Sequence, residues 1–198
     1  MGSEQDNFWK GSFGDDYHDR QFSVGSVLDN EALFRVLLPI DISSVMEFGA
    51  GEGRNIAAIH NIFPDIDLWS VEINGLAASK IAYGNVIIGA ALDVDITWHC
   101  DLVLTKGFLI HVPPNDLEKV YERLYKTANK YILICEYYNP TPVEVEYRGH
   151  SGQLWKRDFA EELLEKYDDL ELVGYKFIYH RDPYPQDDIT CFLLRKNK

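Results

Sequence analysis

The sequence predicts an α/β protein built on a mostly parallel sheet with helices on both faces. Three observations carry that reading. Short apolar runs alternate with amphipathic runs from residue 43 onward; a glycine-rich turn stands between the first apolar run and the helical run after it; and the chain closes on two alternating strand patterns joined by a proline-containing loop. Alternation of strand and helix is what a parallel sheet with crossovers on both faces requires. A length of 198 residues fits one domain, 1–198, because domains typically run to roughly 100–200 residues. Residues 1–28 form a lid-like segment ahead of the first packing helix.

Each element has its own local signal. Residues 4–26 mix aromatic, glycine and charged residues, Phe8, Trp9, Phe13, Tyr17 and Arg20 among them, and read as a short helical or irregular lid whose aromatics must cover something. Leu33, Phe34, Leu37 and Leu38 share one helical face between Asn30 and Leu38, with Asp29 or Asn30 as cap and Pro39 as stop. Ser44 to Phe48 reads as a buried strand, Gly49 to Gly53 as a tight turn, and Asn55 to Phe63 as a helix ended by Pro64. Asp67 to Glu72 is a second strand, Asn74 caps a helix through about Tyr83, and strands follow at Asn85 to Ile88 and Asp101 to Thr105. Leu117, Val120, Tyr121 and Leu124 give helical spacing to Asn115 to Ala128, which leads into a fifth strand, Tyr131 to Cys135. Asp158 and Glu161 form a capping box for a helix through Tyr167. Leu170 to Tyr179 and Ile189 to Arg195 are the closing strands, joined by the loop Arg181 to Asp188.

Composition narrows the function. A net charge of -13, from 32 acidic and 19 basic residues, repels a phosphate backbone, so nucleic acid is not the expected partner. No apolar run approaches the roughly 20 residues that cross a bilayer, and the polar, acidic start lacks a signal pattern, so a cytoplasmic protein with no membrane partner is expected. Cys100, Cys135 and Cys191 are odd in number, widely spaced and set among apolar residues. They read as core thiols rather than a disulfide framework or a zinc site, and no metal is expected.

The most specific motif is Glu47-Phe48-Gly49-Ala50-Gly51-Glu52-Gly53, placed where a strand gives way to a helix. Glycines there allow a tight turn and let a cofactor lie against bare backbone. A dinucleotide fingerprint starting at Gly49 fails because Arg54 holds the position of its last small residue, and one starting at Gly51 fails at Ile56. The acid-x-Gly-x-Gly-x-Gly order resembles motif I of the class I S-adenosylmethionine methyltransferases. The resemblance implies that family's Rossmann-like sheet of seven strands ending in an antiparallel hairpin, with S-adenosylmethionine as cofactor. By it, Glu47, Gly49, Ala50, Gly51 and Gly53 form the donor turn, and Glu72, 25 positions after Glu47, accepts hydrogen bonds from the ribose hydroxyls. Ile73 presses on the adenine, Ala91 and Leu92 line its edge, and Tyr17 and Arg20 close over the donor's carboxylate.

Ligands of open parallel sheets bind beyond the carboxyl ends of the strands, so the segments after the fourth and fifth strands face the donor. Thr105 and Lys106 are expected to take part in binding it. The run from Leu104 to Pro113 looks like motif IV of small-molecule methyltransferases, with His111 as base or substrate-orienting group, and Tyr17 and Tyr138 as further catalytic candidates. Matches across the chain, among them Phe8-Trp9-x-Gly, Leu104-Thr105-Lys106-Gly107, Glu136-Tyr137-Tyr138-Asn139-Pro140, Tyr147-Arg148-Gly149-His150 and Lys156-Arg157-Asp158-Phe159, resemble the methylases associated with pseudaminic acid biosynthesis. Gln21, where that pattern has asparagine, and Cys191, where it has an aromatic, depart from it.

Tyr137, Asn139, Arg148, His150, Lys156, Arg157 and Asp187 form the expected substrate shell, suited to an anionic or polyhydroxylated acceptor. The expected reaction is methyl transfer to an oxygen or nitrogen of a small, sugar-related molecule, by a monomer or homodimer. A donor-binding module without turnover and a protein side-chain methyltransferase are the alternatives.

Overall fold

The computed structural model describes the backbone of residues 4–20 and 26–197 and the side chains of residues 5–17 and 26–197, so the Arg20 side chain lies outside the described residues. Among these, two short helices come first, α1 (Glu4–Lys10) and α2 (Ser12–Arg20), followed by α3 (Val27–Leu37). Then strand and helix alternate: β1 (Ser44–Phe48), α4 (Arg54–Ile62), β2 (Asp67–Glu72), α5 (Gly75–Ala78), β3 (Asn85–Ile88), β4 (Cys100–Lys106), a 3-10 turn (Leu109–His111), α6 (Pro114–Thr127) and β5 (Ala128–Glu136). A two-stranded ribbon, β6 (Val143–Glu144) and β7 (Trp155–Lys156), precedes α7 (Phe159–Lys166), β8 (Leu170–Ile178) and β9 (Ile189–Lys196).

The large sheet has the order β3-β2-β1-β4-β5-β9-β8. β1 to β5 run parallel, and β9 runs antiparallel to both β5 and β8. This is the sheet, with its closing hairpin, that the sequence predicts. Period-two alternation builds its two cores: Met46, Val103, Ile132 and Ile134 point to the face covered by α6 and α7, while Val45, Leu102, Leu104 and Leu133 point to the face covered by α3 and α4. Phe34 from α3 and Phe159 from α7 are fully buried on their respective faces. Truncating such a phenylalanine costs about 3–5 kcal/mol.

Several boundaries differ from the sequence reading, each for a local reason. α3 starts three residues early because Ser26 is its cap: Ser26 Oγ accepts from Asp29 N at 3.2 Å, and Asp29 Oδ2 accepts from Ser26 N at 3.0 Å. Asp29 is thus the third residue of a capping box, and Asn30 is released to face inward, 1% exposed. After Asn74 the helix stops at Ala78, five residues short of Tyr83, and Ile81 packs instead against Gly53. The ribbon of β6 and β7, two residues per strand, is too short to leave a periodic signal. The three cysteines are free and buried, as their apolar settings predict. Among the described residues no helix is long and apolar enough to cross a membrane.

Candidate functional site

A cleft of about 570 Å³ opens beyond the carboxyl ends of β1 to β5. Strand order reverses between β1 and β4, because the chain adds β2 and β3 on one side before crossing to the other. Loops from the two halves diverge there and leave a crevice.

The floor is the turn after β1. Gly49, Gly51 and Gly53 adopt φ of 72°, 54° and 76°, left-handed values that only glycine holds without strain. Gly49 N and Ala50 N both donate to Val71 O, at 2.9 and 3.2 Å. Gly51 N donates to Glu72 Oε2 at 2.7 Å, and Asn74 N to Glu72 Oε1 at 2.8 Å. A Cβ at Gly49 would meet the Phe108 ring at 2.6 Å, and one at Gly53 would meet Ile81 at 2.9 Å. The glycines therefore serve internal packing as well as the open floor. Gly49, Ala50 and Gly51 line the cleft; Gly53 lies beneath it as the cap of α4.

Glu47 also lies beneath, fully buried, with Oε1 accepting from Asn55 Nδ2 at 2.6 Å. Burial pushes its carboxyl up to about 8, against the opposing pull of Asn55 and Lys106. Glu72, 6% exposed, shares a wall with Ile73, Ala91 and Leu92. Burial raises its pKa, and hydrogen bonds from the amides of Asn74, Gly51 and Ile73 pull the other way.

On the opposite wall, Lys106 and Phe108 reach the cleft, whereas Thr105 is buried within β4. Glu136, at the end of β5, organises the turn that follows. Its Oε1 accepts from Phe108 N at 3.1 Å and Leu109 N at 3.0 Å, and its Oε2 from Ile110 N at 3.4 Å. Burial pushes this carboxyl up to about 7, while those amides lower it. The turn delivers His111 to the cleft wall, where Nδ1 lies 2.7 Å from the carbonyl oxygen of Gln153. A carbonyl only accepts, so Nδ1 carries the proton and Nε2 keeps its lone pair. Desolvation lowers the His111 pKa to about 4, leaving the ring neutral at pH 7.

α1 and α2 bring the aromatic rings of Trp9 and Tyr17 to the cleft. The Trp9 ring centroid is 4.5 Å from that of His111 and 5.3 Å from that of Tyr17, and Tyr147 lies 5.0 Å from His111. Burial raises the Tyr17 pKa far above that of a free phenol. Tyr147 and His150 exchange both backbone hydrogen bonds at 2.9 Å. Between them stand Arg148 and Gly149, with φ of 51° and 82°, the geometry of a two-residue hairpin turn. Arg148 is a non-glycine residue held at positive φ, and it lines the cleft beside Tyr147. Tyr137 closes the far side, its hydroxyl donating to Asp187.

Of the expected substrate and catalytic residues, Tyr17, His111, Tyr137, Arg148 and Asp187 come together at the cleft, while Tyr138, Asn139, His150, Lys156 and Arg157 do not line it. Alternation past the end of β5 explains the first: Tyr137 faces the cleft, and Tyr138 turns away against Phe192 at 5.9 Å. Asn139 bonds Thr141 O, and His150 packs on Phe8 and Phe13. Lys156 Nζ stands over the Tyr137 ring, 5.0 Å from its centroid. Arg157 is tied to Glu162 at 2.7 Å, and Glu162 also accepts from Tyr121. Sequence reasoning did not single out Asn30, Asn55, Phe108, Tyr147 or Gln186 as cleft residues. Glu136, which holds the turn without lining the cleft, had one legible signal, a carboxylate at the end of the apolar run Tyr131 to Cys135.

No protein-family model matches the chain, and no curated protein matches it in sequence. Solved structures do. The 1,6-didemethyltoxoflavin-N1-methyltransferase of Burkholderia thailandensis, with bound 1,6-didemethyltoxoflavin and S-adenosylhomocysteine, aligns at a TM-score of 0.74 and 16% identity over 100% of this chain and 92% of that one. Magnesium protoporphyrin IX methyltransferase of Synechocystis PCC 6803 aligns at 0.69 and 12% identity, covering 97% and 98%. The mitomycin 7-O-methyltransferase MmcR aligns at 0.63 and 15% identity over 86% of this chain, which spans 54% of the length of that protein. At these identities the likeness establishes the fold, and the chain has the Rossmann-like architecture of these methyltransferases.

Proposed function

We propose that the protein transfers a methyl group from S-adenosylmethionine to an oxygen or nitrogen of a small polar acceptor of the sugar or nucleotide-sugar type, with one domain, 1–198, carrying the whole site. The observation that carries this reading is the turn at residues 49–51, pinned by Glu72 at the floor of a cleft whose far wall presents a neutral histidine. The residues fit the donor. Glu72 accepts from the amides of Gly51, Asn74 and Ile73, and the acceptor capacity left on its two oxygens is free for a ribose hydroxyl. Ile73, Ala91 and Leu92 offer an apolar slot for adenine. Solved structures of this fold that hold S-adenosylhomocysteine support the same choice.

The bound donor supplies an electrophilic methyl on a sulfonium with a good leaving group. Most of the chain's work is then alignment and exclusion of water, for which the aromatic cover of Trp9, Tyr17 and Tyr147 is placed. His111 Nε2 takes the proton from an acceptor hydroxyl or ammonium, with Nδ1–H anchored on Gln153 O. Arg148, one of several cations in the cleft lining, meets an anionic group of the acceptor.

Calorimetric titration with S-adenosylmethionine and with NAD tests the donor: binding of the first alone is expected, and affinity for NAD alone would overturn the assignment. Incubation with labelled donor and a metabolite extract is expected to yield a labelled small product. Tight donor binding without any labelled product would instead favour a binding module.

A further inference from the structure

We infer that the amino-acid end of the methyl donor is held by a buried amide cluster drawn from three distant parts of the chain, Asn30 on α3, Asn55 on α4 and Gln186 in the loop between β8 and β9. This rests on the donor assignment above. All three side chains line the cleft, yet they are only 1%, 8% and 4% exposed. Gln186 Nε2 donates to Asn30 Oδ1 at 3.0 Å, and Asn55 Nδ2 donates to Glu47 Oε1 at 2.6 Å. That leaves Gln186 Oε1, Asn55 Oδ1 and Glu47 Oε2 buried with no hydrogen-bond partner among the described residues. Buried side-chain oxygens without a donor are rare in folded chains, and several in one region call for a ligand that donates.

The chemistry of the missing partner follows. The two orphaned amide oxygens beside the cleft, Gln186 Oε1 and Asn55 Oδ1, match an ammonium, which donates and never accepts. The Asn30–Gln186 pair can also turn both amides over and present an N–H2 group in place of an oxygen, so it accommodates the neighbouring carboxylate of a zwitterion as well. Position agrees with chemistry. Glu72, Ile73, Ala91 and Leu92 lie at the β2 and β3 side of the cleft, whereas Asn30 and Gln186 lie on the α3 side, toward β9. Asn55, in the first turn of α4 directly after the glycine turn, lines the same cleft. A donor with its adenosine on the first side extends its amino acid toward the second.

Gln186 therefore acts as a donor-specificity residue, and its neighbour Asp187 takes the Tyr137 hydrogen bond. One loop thus spans the donor and acceptor halves of the site. The test is calorimetry of the full chain with S-adenosylhomocysteine and with methylthioadenosine, which keeps the adenosyl thioether and lacks the amino acid. Wild type is expected to favour S-adenosylhomocysteine by at least about tenfold. Gln186→Ala should weaken that ligand about tenfold, equivalent to about 1.4 kcal/mol, and leave methylthioadenosine unchanged; Asn30→Ala should behave alike. Equal affinities in wild type, or equal weakening of both ligands in the variants, would overturn the inference. Wild type binding neither compound would overturn the donor assignment itself. Should Gln186→Ala fail to fold, Gln186→Met keeps the length without the amide and carries the same comparison.

Discussion

The protonation of a single ring decides how His111 works. An ordinary histidine titrates near 6.5, but desolvation holds this one near 4, so it is already a base throughout the neutral range. The expected pH profile of kcat/KM has no break between pH 6 and 8 from this residue, and a break near 6.5 would contradict the assignment. His111→Asn should lower kcat by roughly 10²–10⁴-fold, the range for loss of a general base, with donor affinity kept. Glu47 gives the opposite sign for stability. Its carboxyl titrates near 8 when folded and near its ordinary value of 4.5 when unfolded, so the folded state holds the extra proton. The stabilisation it contributes is complete below about 4.5 and is lost as pH rises through about 8. In the ligand-free protein, Glu47→Gln removes that slope. The variant's melting temperature relative to wild type should rise between pH 6 and 9, by about 2–4 °C for each kcal/mol relieved.

At the scale of elements, the strand, turn and helix at residues 44–62 were legible because their causes are local. A buried apolar run, three glycines at left-handed φ and an amphipathic helix lie within twenty positions. Gly49→Ala should destabilise the protein by at least about 1–2 kcal/mol from backbone strain alone, and the clash with Phe108 adds to it. Urea unfolding measures the sum. The turn after β4 was legible only in part. Its histidine stood out, but its scaffold is Glu136, 25 residues beyond His111, which holds three successive amides. Glu136→Gln keeps the shape but sets an N–H2 group against backbone N–H groups. A loss of about 1–3 kcal/mol is expected, together with a fall in kcat larger than the fall in donor affinity, since the turn carries the base rather than the donor's floor.

For the molecule as a whole, ligand binding and stability are linked. S-adenosylhomocysteine at a hundred times its Kd should add about 2.7 kcal/mol, and so raise the melting temperature by about 5–11 °C for a domain of this size. An unchanged melting temperature would speak against the cleft as a donor site. The alternation of strand and helix and the motif at residues 47–53 determined the fold class and the floor of the cleft from sequence alone, because period-two and helical patterns and left-handed glycines act on neighbours in the chain. The sorting of the polar residues after β5 needed the folded sheet. Tyr137 and Arg148 reach the cleft while Tyr138 and Arg157 turn to other partners, because the direction of each side chain depends on the pleat, the hairpin turn and the helix packed nearby. The pairing of Asn30 with Gln186, 156 positions apart, was likewise decided only by tertiary structure: nothing local prefers it, and it exists because α3 and the loop before β9 close the same end of the sheet.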